Sequence, residues 1–371
     1  MRPFLNHAAV LIALFFVLPA WAGDWVHHRG GPKQQGQAPG SLSSALEVTW
    51  KSKIGAPIRS SAVISKGRIF VGASDGFLYA LDMKTGQNLW SFEAGGAVEA
   101  PPSVFQDRVV VGASDGWVYA LSVEKGALFW KFETKAKIMG AVSSADGLSL
   151  FVGSYDGYLY ALNAKSGKQL WRYQTGNYIH GSPAVSGDKV FVGGCDQKLH
   201  IVSALDGKKV GIISVGAQMG ASPAIDGDVA YLGTYGNRFY EIDLKHKAVS
   251  WFYRDGDFPY FSSPAIDAKH VYFGGRDRRV HAVHREDGQQ LWVYETRGKV
   301  DGALVLVDGK LVVASTEGRI HLVRAIDGEK LWSYDLGATL TASPAVSDGF
   351  VVIGTEDGIV YCLGPESRVQ K

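Results

Sequence analysis

The stretch ASDGFLYALDMKTGQNLW, residues 73–90, returns forty residues later as ASDGWVYALSVEKGALFW, residues 113–130. Its turn aspartate recurs in phase as Asp75, Asp115, Asp156, Asp196, Gly236, Asp277, Glu317 and Asp357, in steps of 40 or 41. The closing tryptophan recurs as Trp90, Trp130, Trp171, Gly211, Trp251, Trp292 and Trp332. A third column reads Tyr79, Tyr119, Tyr160, His200, Tyr240, His281, His321 and Tyr361. Three columns sharing one period describe eight copies of one unit.

Each copy holds four short runs of β-branched and aromatic residues. In the first they lie near RSSAVIS, RIFVGAS, FLYALDM and NLWSFEA, separated by Lys-Gly, Asp-Gly and Lys-Thr-Gly-Gln. Such runs are strands, and the Gly-containing pairs are tight turns in which glycine supplies the positive φ. No segment carries a helical period. A four-stranded unit of about 40 residues that must bury both faces against its neighbours is a propeller blade. The predicted fold is therefore all-β, an eight-bladed β-propeller of four-stranded antiparallel blades.

The eighth copy ends before its tryptophan, whereas LEVTWKSKIG places Trp50 forty residues ahead of Trp90 with no inner strands before it. The N-terminal segment should supply the last blade's outer strand. Another column, Ser60, Ala100, Gly140, Gly181, Ala221, Ser262, Gly302 and Ala342, is small in every copy and suits blades converging on an axis.

The first 22 residues read as an export signal: Arg2, an apolar run from Ala8 to Leu18, then Ala20-Trp21-Ala22 as cleavage site. The run is too short to span a bilayer. No Cys follows it, so no lipid anchor is expected. Residues 1–22 are thus a signal peptide, 23–46 a lead segment and 47–371 the propeller, in a periplasmic or secreted protein. With 38 Lys plus Arg against 36 Asp plus Glu, there is no electrostatic case for nucleic acid. Cys195 and Cys362 fall on opposite sides of the ring and should remain unpaired thiols.

The segment Ala80-Leu81-Asp82-Met83-Lys84-Thr85-Gly86-Gln87-Asn88-Leu89-Trp90 resembles the tryptophan-docking motif of pyrroloquinoline-quinone-like (PQQ-like) propeller repeats, and DWVHHRGGPKQQG is similar to the lead that precedes them in exported bacterial proteins. The resemblance covers residues 25 to 364. It implies docking roles for Trp50, Trp90, Trp130, Trp171, Trp251, Trp292 and Trp332. It implies two functions: a quinoprotein dehydrogenase with quinone and calcium on the axis, or a non-catalytic scaffold like the outer-membrane protein assembly propeller.

The enzymes of this family carry long insertions and adjacent cysteines, and neither is present here. The near-axis column reads Arg59, Glu99, Met139, His180, Gly220, Phe261, Asp301 and Thr341, with its carboxylates on blades 2 and 7. No catalytic residue, cofactor or metal is expected. His200, His281 and His321 occupy a column that is otherwise Tyr, so an aromatic body with a polar tip accounts for them.

Copies four to six depart from the pattern. Gly211 replaces Trp, Tyr235-Gly236-Asn237 replaces Ser-Asp-Gly, RDGDFPYFSS brings in aromatics, and GGRDRRV replaces GASDGFL. In an up-and-down blade these positions share one face, which groups Tyr178, His180, Tyr235, Phe258, Tyr260, Phe261, Arg276 and Arg278. Aromatics with Arg suit a binding surface, though drift of the repeat and packing would write the same changes. The expectation is a monomeric exported scaffold that binds envelope or secreted proteins. The alternative is a PQQ-dependent dehydrogenase-like enzyme or a quinone- or sugar-binding propeller.

Overall fold

The computed structural model describes residues 23–366; the predicted signal peptide lies outside them. Eight antiparallel sheets follow one another around a central axis. Blade 1 comprises Val63–Ser65, Arg68–Gly72, Phe77–Asp82 and Asn88–Glu93, from axis to rim. In blade 3 the innermost strand shrinks to one bridge, Ser143 to Phe151. There Asp146 folds the chain into a local turn, its carboxylate accepting from the Leu148 and Ser149 amides.

The ring closes as its sequence implied. Leu46–Lys53 pairs antiparallel with Ile359–Pro365 in blade 8, setting Trp50 opposite Cys362. Both cysteines are free, and burial pushes the Cys362 thiol up to about 12.

Neighbouring blades are joined at rim and axis. At the rim, the Trp50, Trp90, Trp130, Trp171, Trp251 and Trp292 indoles each donate to a carbonyl in the next blade's turn, at 2.9–3.1 Å. Each ring lies on that turn's glycine, where a Cβ would approach it to 2.5–2.7 Å. Two departures are informative. Trp332 makes no such bond, because blade 8 takes its outer strand from the N-terminus and so offers no turn; its ring stacks on Tyr334 instead. Between blades 4 and 5 both partners are exchanged, with Gly211 in the strand and Lys247 in the turn.

At the axis the small column brings backbones together, and a Cβ on Gly140 or Gly181 would lie 2.7–2.8 Å from the next blade's carbonyl oxygen. A serine hydroxyl bridges every junction there. Ser60, Ser103 and Ser262 donate to carbonyls of the following blade. Ser182, Ser222, Ser263, Ser343 and Ser61 accept amides of the preceding one, each at 2.9 Å.

The lead segment circles the axis. The innermost strands would otherwise present bare amides there. Backbone bonds join Trp25 to Ile64 in blade 1, Val26 to Val104 in blade 2, Pro32 to Val185 in blade 4, Lys33 to Ile225 in blade 5, Gln35 to Ile266 in blade 6 and Gly36 to Leu306 in blade 7. Gln34 reaches Ser143 in blade 3. Residues 23–46 thus close one end of the central channel. Arg29, 2% exposed, lies within it and donates to the Ser222 and Pro264 carbonyls.

Candidate functional site

At its other end the channel opens into a cavity of about 180 Å³, and all eight residues of the near-axis column line it. Each immediately precedes the small residue at which its blade meets the axis, so the repeat itself delivers one side chain per blade. The charges here satisfy one another. Arg59 bridges Glu99 and Glu356, at 3.0 Å to each, and Thr341 donates to Glu356. Arg276 clamps Asp301 through two bonds of 2.9 and 3.2 Å. A calcium ion would have to displace a guanidinium from each carboxylate. Cys195 and Cys362 sit on blades 4 and 8, so no adjacent pair could contact a quinone. These residues are a poor match to a calcium-held quinone.

The irregular sector forms one wall and the adjoining face. Tyr178 and Phe258 are half exposed, at 51% and 54%, and Tyr235 is 40% exposed. Tyr178 stacks on Tyr155, with centroids 5.0 Å apart and planes 7° from parallel, and the Lys137 ammonium lies 4.6 Å from the Tyr155 ring centroid. His180 turns inward to bond Tyr155 and is held below its ordinary pKa by burial, with Lys137 adding to the effect. Phe261 also turns inward, edge-on to Tyr235 and beneath the Arg276 guanidinium.

Tyr260 does not belong to this face. It is 1% exposed, packed against Phe273, Tyr253 and His281, with its hydroxyl accepting the Asp255 amide. Neighbours in an extended chain point opposite ways, so Phe261 inside the cavity puts Tyr260 in the inter-blade core.

Three turns in this sector carry strain. Where blades 1, 2, 3, 7 and 8 place glycine after the turn acid, blades 4, 5 and 6 place Gln197, Asn237 and Arg278 at φ of 65°, 58° and 68°. A left-handed non-glycine residue costs on the order of 1 kcal/mol.

Sequence reasoning overlooked Tyr155 and Glu356. Both occupy the position just before the turn acid, which reads Ser74, Ser114, Tyr155, Cys195, Tyr235, Arg276, Thr316 and Glu356. Reading that whole column would have revealed the wall.

The histidine column is architectural. In blades 1 to 3 the tyrosine hydroxyl bonds the turn acid directly. His200, His281 and His321 meet Asp196, Asp277 and Glu317 through Nε2, at 2.7, 2.9 and 3.2 Å. A tyrosine of the preceding blade meets each Nδ1: Tyr173, Tyr253 and Tyr294. Asp255, Asp277 and His281 are the one group with ligand atoms within 4.8 Å of one another among the described residues. Arg279 already pairs with Asp255 there.

The sequence matches the family described as outer membrane protein assembly factor BamB over residues 41–145, 114–210 and 276–368. No curated protein matches it in sequence. In structure it is similar to BamB from Moraxella catarrhalis (17% identity, TM-score 0.74, covering 88% of this chain and 100% of that one). It is also similar to the quinohemoprotein alcohol dehydrogenase of Comamonas testosteroni (14% identity, TM-score 0.81, 94% of this chain and 82% of that one). A third likeness is to the computationally designed Ika8 protein (18% identity, TM-score 0.74, 86% and 99%). At these identities the structural likeness is one of fold, whereas the sequence match spans most of the repeat array: the chain belongs to the outer membrane protein assembly factor BamB family.

Proposed function

We propose that this protein is an exported, non-catalytic scaffold that binds proteins or a cell-envelope component through the face of blades 4 to 6, in outer-membrane protein assembly or a related envelope process. One observation carries the reading: half-exposed Tyr178, Tyr235 and Phe258 share a face with three left-handed non-glycine turns, all within the same three blades. Exposed aromatics favour a covering partner. Membership of an assembly-factor family supports the envelope setting, and the predicted signal peptide supports export.

The test is capture of envelope proteins by immobilised protein. Tyr178→Ala, Phe258→Ala and Arg278→Ala should each reduce capture several-fold while leaving Tm within a few degrees. Ser114→Ala and Asp115→Asn, in the regular turn of blade 2, should leave capture intact. Equal capture by all variants would move the binding face elsewhere. The alternative, a quinone-dependent dehydrogenase or a quinone- or sugar-binding propeller, is tested by adding PQQ and calcium. A stoichiometric quinone complex with dye-linked oxidation of alcohols or sugars would replace the scaffold reading.

A further inference from the structure

We infer that the cleft between blades 4 and 5 is a slot for a tryptophan side chain of a partner polypeptide, which supplies from outside the indole that the repeat itself supplies at six other junctions.

Those six junctions specify the occupant. In each, an indole from one blade's outer strand lies on the turn of the next blade and donates to a carbonyl there. Trp90, Trp171, Trp251 and Trp292 also pack on an aromatic in the second strand of their own blade. Those partners are Phe70, Phe151, Tyr231 and Tyr272, with centroids 5.7–6.1 Å apart. Between blades 4 and 5 both surfaces are kept and the indole is missing. Phe191 stands where Phe70 and Phe151 do, and the Leu244 carbonyl stands in phase with the six that accept an indole.

The slot is open. A cavity of about 500 Å³ runs between the two blades, and its walls include Phe191, Ile201, Val210 and Leu244. That size lies within the roughly 300–1,000 Å³ of clefts that hold small ligands. Between blades 2 and 3, where Trp130 is docked, the cleft over the turn reaches Ala164 but neither Val110 nor Ala120, the counterparts of Phe191 and Ile201. The indole covers those strands there, and Gly211 has no side chain to cover them here. Lys247 lies across Gly211 instead, its Cε 3.0 Å from where a Cβ would stand and its ammonium donating to the Val210 carbonyl at 2.8 Å. It is exposed, and a surface hydrogen bond of this kind contributes little net, so the chain swings aside for an entering ring.

Asp188, Asp228 and Lys245 bring both signs of charge to the rim, so no ionic ligand is selected. A flat apolar body with one N–H donor matches the two retained surfaces. Val210 and Ile212, 38% and 40% exposed, continue the apolar surface along the outer strand of blade 4. Residues flanking a tryptophan would cover them, which favours a polypeptide over free indole. The slot is bordered by the turns at Ser186–Lys189 and Leu244–Lys247, at the opposite end of the blades from Tyr178 and Tyr235. It therefore stands independently of the aromatic face.

The experiment is calorimetric titration of the intact protein with an acetylated, amidated peptide of residues 87–93, QNLWSFE, which carries Trp90 in its own strand sequence. The same peptide with Trp90→Ala and free indole are titrated beside it. The tryptophan peptide should bind saturably, one to one, and the other two at least about ten-fold more weakly. Gly211→Trp/Lys247→Gly, which fills the slot from within the chain, should weaken binding at least about ten-fold. Lys247→Gly alone, which uncovers the slot, should bind at least as tightly as the wild type. If the double variant does not fold, methyl NMR of the wild type decides: the Ile201 and Leu244 signals should move on titration, and unmoved signals overturn the inference. Absence of saturable binding by the tryptophan peptide overturns it. So does equal binding of the alanine peptide, which needs no indole, or of free indole, which needs no polypeptide. Full binding to the double variant places the peptide elsewhere, and binding lost in Lys247→Gly makes the lysine the contact; either result also overturns the inference.

Discussion

The junction of blades 4 and 5 offers a double-mutant test of how the blades are held. Six junctions dock a tryptophan on a turn glycine, and here Gly211 faces Lys247. Lys247 lies at φ 56° and its ammonium reaches the Val210 carbonyl. The perturbation is Gly211→Trp, Lys247→Gly and the pair together. A tryptophan side chain buries about 150–250 Å². With roughly half of that set against the turn, transfer at about 25 cal/mol per Å² gives about 2–3 kcal/mol. An indole bond to the Leu244 carbonyl adds about 1, removing glycine from a strand about 0.5–1, and relieving the left-handed lysine about 1. Ordering the new side chain and freeing the turn cost about 1–2 together. The double variant should therefore gain about 3–4 kcal/mol.

Gly211→Trp alone should lose about 1–3 kcal/mol by overpacking, since a turn Cβ would lie 2.5–2.7 Å from the docked ring at the six sister sites. Lys247→Gly alone should change stability by less than about 1 kcal/mol. The readout is the urea midpoint followed by circular dichroism. If the two substitutions add to within about 0.5 kcal/mol, docking on the turn does not couple the blades and the argument fails.

Three further outcomes are expected. Deleting residues 23–54 removes both the outer strand of blade 8 and the axial lead, and should lower Tm by more than ten degrees, with Trp50→Ala alone costing about 2–4 kcal/mol because its ring is half-buried; an unchanged melting curve would refute closure through the N-terminus. Gln197→Gly and Arg278→Gly should each stabilise by about 1 kcal/mol in urea unfolding by relieving a left-handed residue, and a loss of stability would show that these side chains contribute more than their turns cost. Burial and Arg29 lower the His28 pKa from 6.5 to about 3, so the unfolded chain takes a proton that the folded one refuses. That contribution is complete above pH 6.5 and declines as pH falls toward 3, by about 1.4 kcal/mol per pH unit. His27, whose pKa burial lowers to about 4, adds a slope of its own, so urea midpoints between pH 6.5 and 5 should fall more steeply than this, and His28→Asn should remove about 1.4 kcal/mol per pH unit of the fall and leave the rest; an identical slope in the variant assigns the acid sensitivity elsewhere.

What the sequence determined by itself is the repeating unit. Asp-Gly and Thr-Gly turns, alternating strands and docking tryptophans act over a few residues, so their period exposes the blade, the count of eight and the strand borrowed from Leu46–Lys53. The near-axis column was equally legible, because every blade delivers its residue at one repeat position. Tertiary structure decided which of those residues meet. Arg59 reaches Glu356 in the last blade, 297 residues away, and Arg29 reaches Ser222 across 193; no local pattern encodes such pairs. The path of residues 23–46 around the axis was unreadable for the same reason: its bonds go one at a time to successive blades. Orientation was the other gap. Tyr260 and Phe261 look alike in sequence, yet one residue of register sends the first into the core and the second into the cavity, because side chains of an extended chain alternate. Trp332 stands in phase with its repeat and still has nothing to dock on, since the turn it needs is missing where the ring is closed by a strand from the other end of the chain.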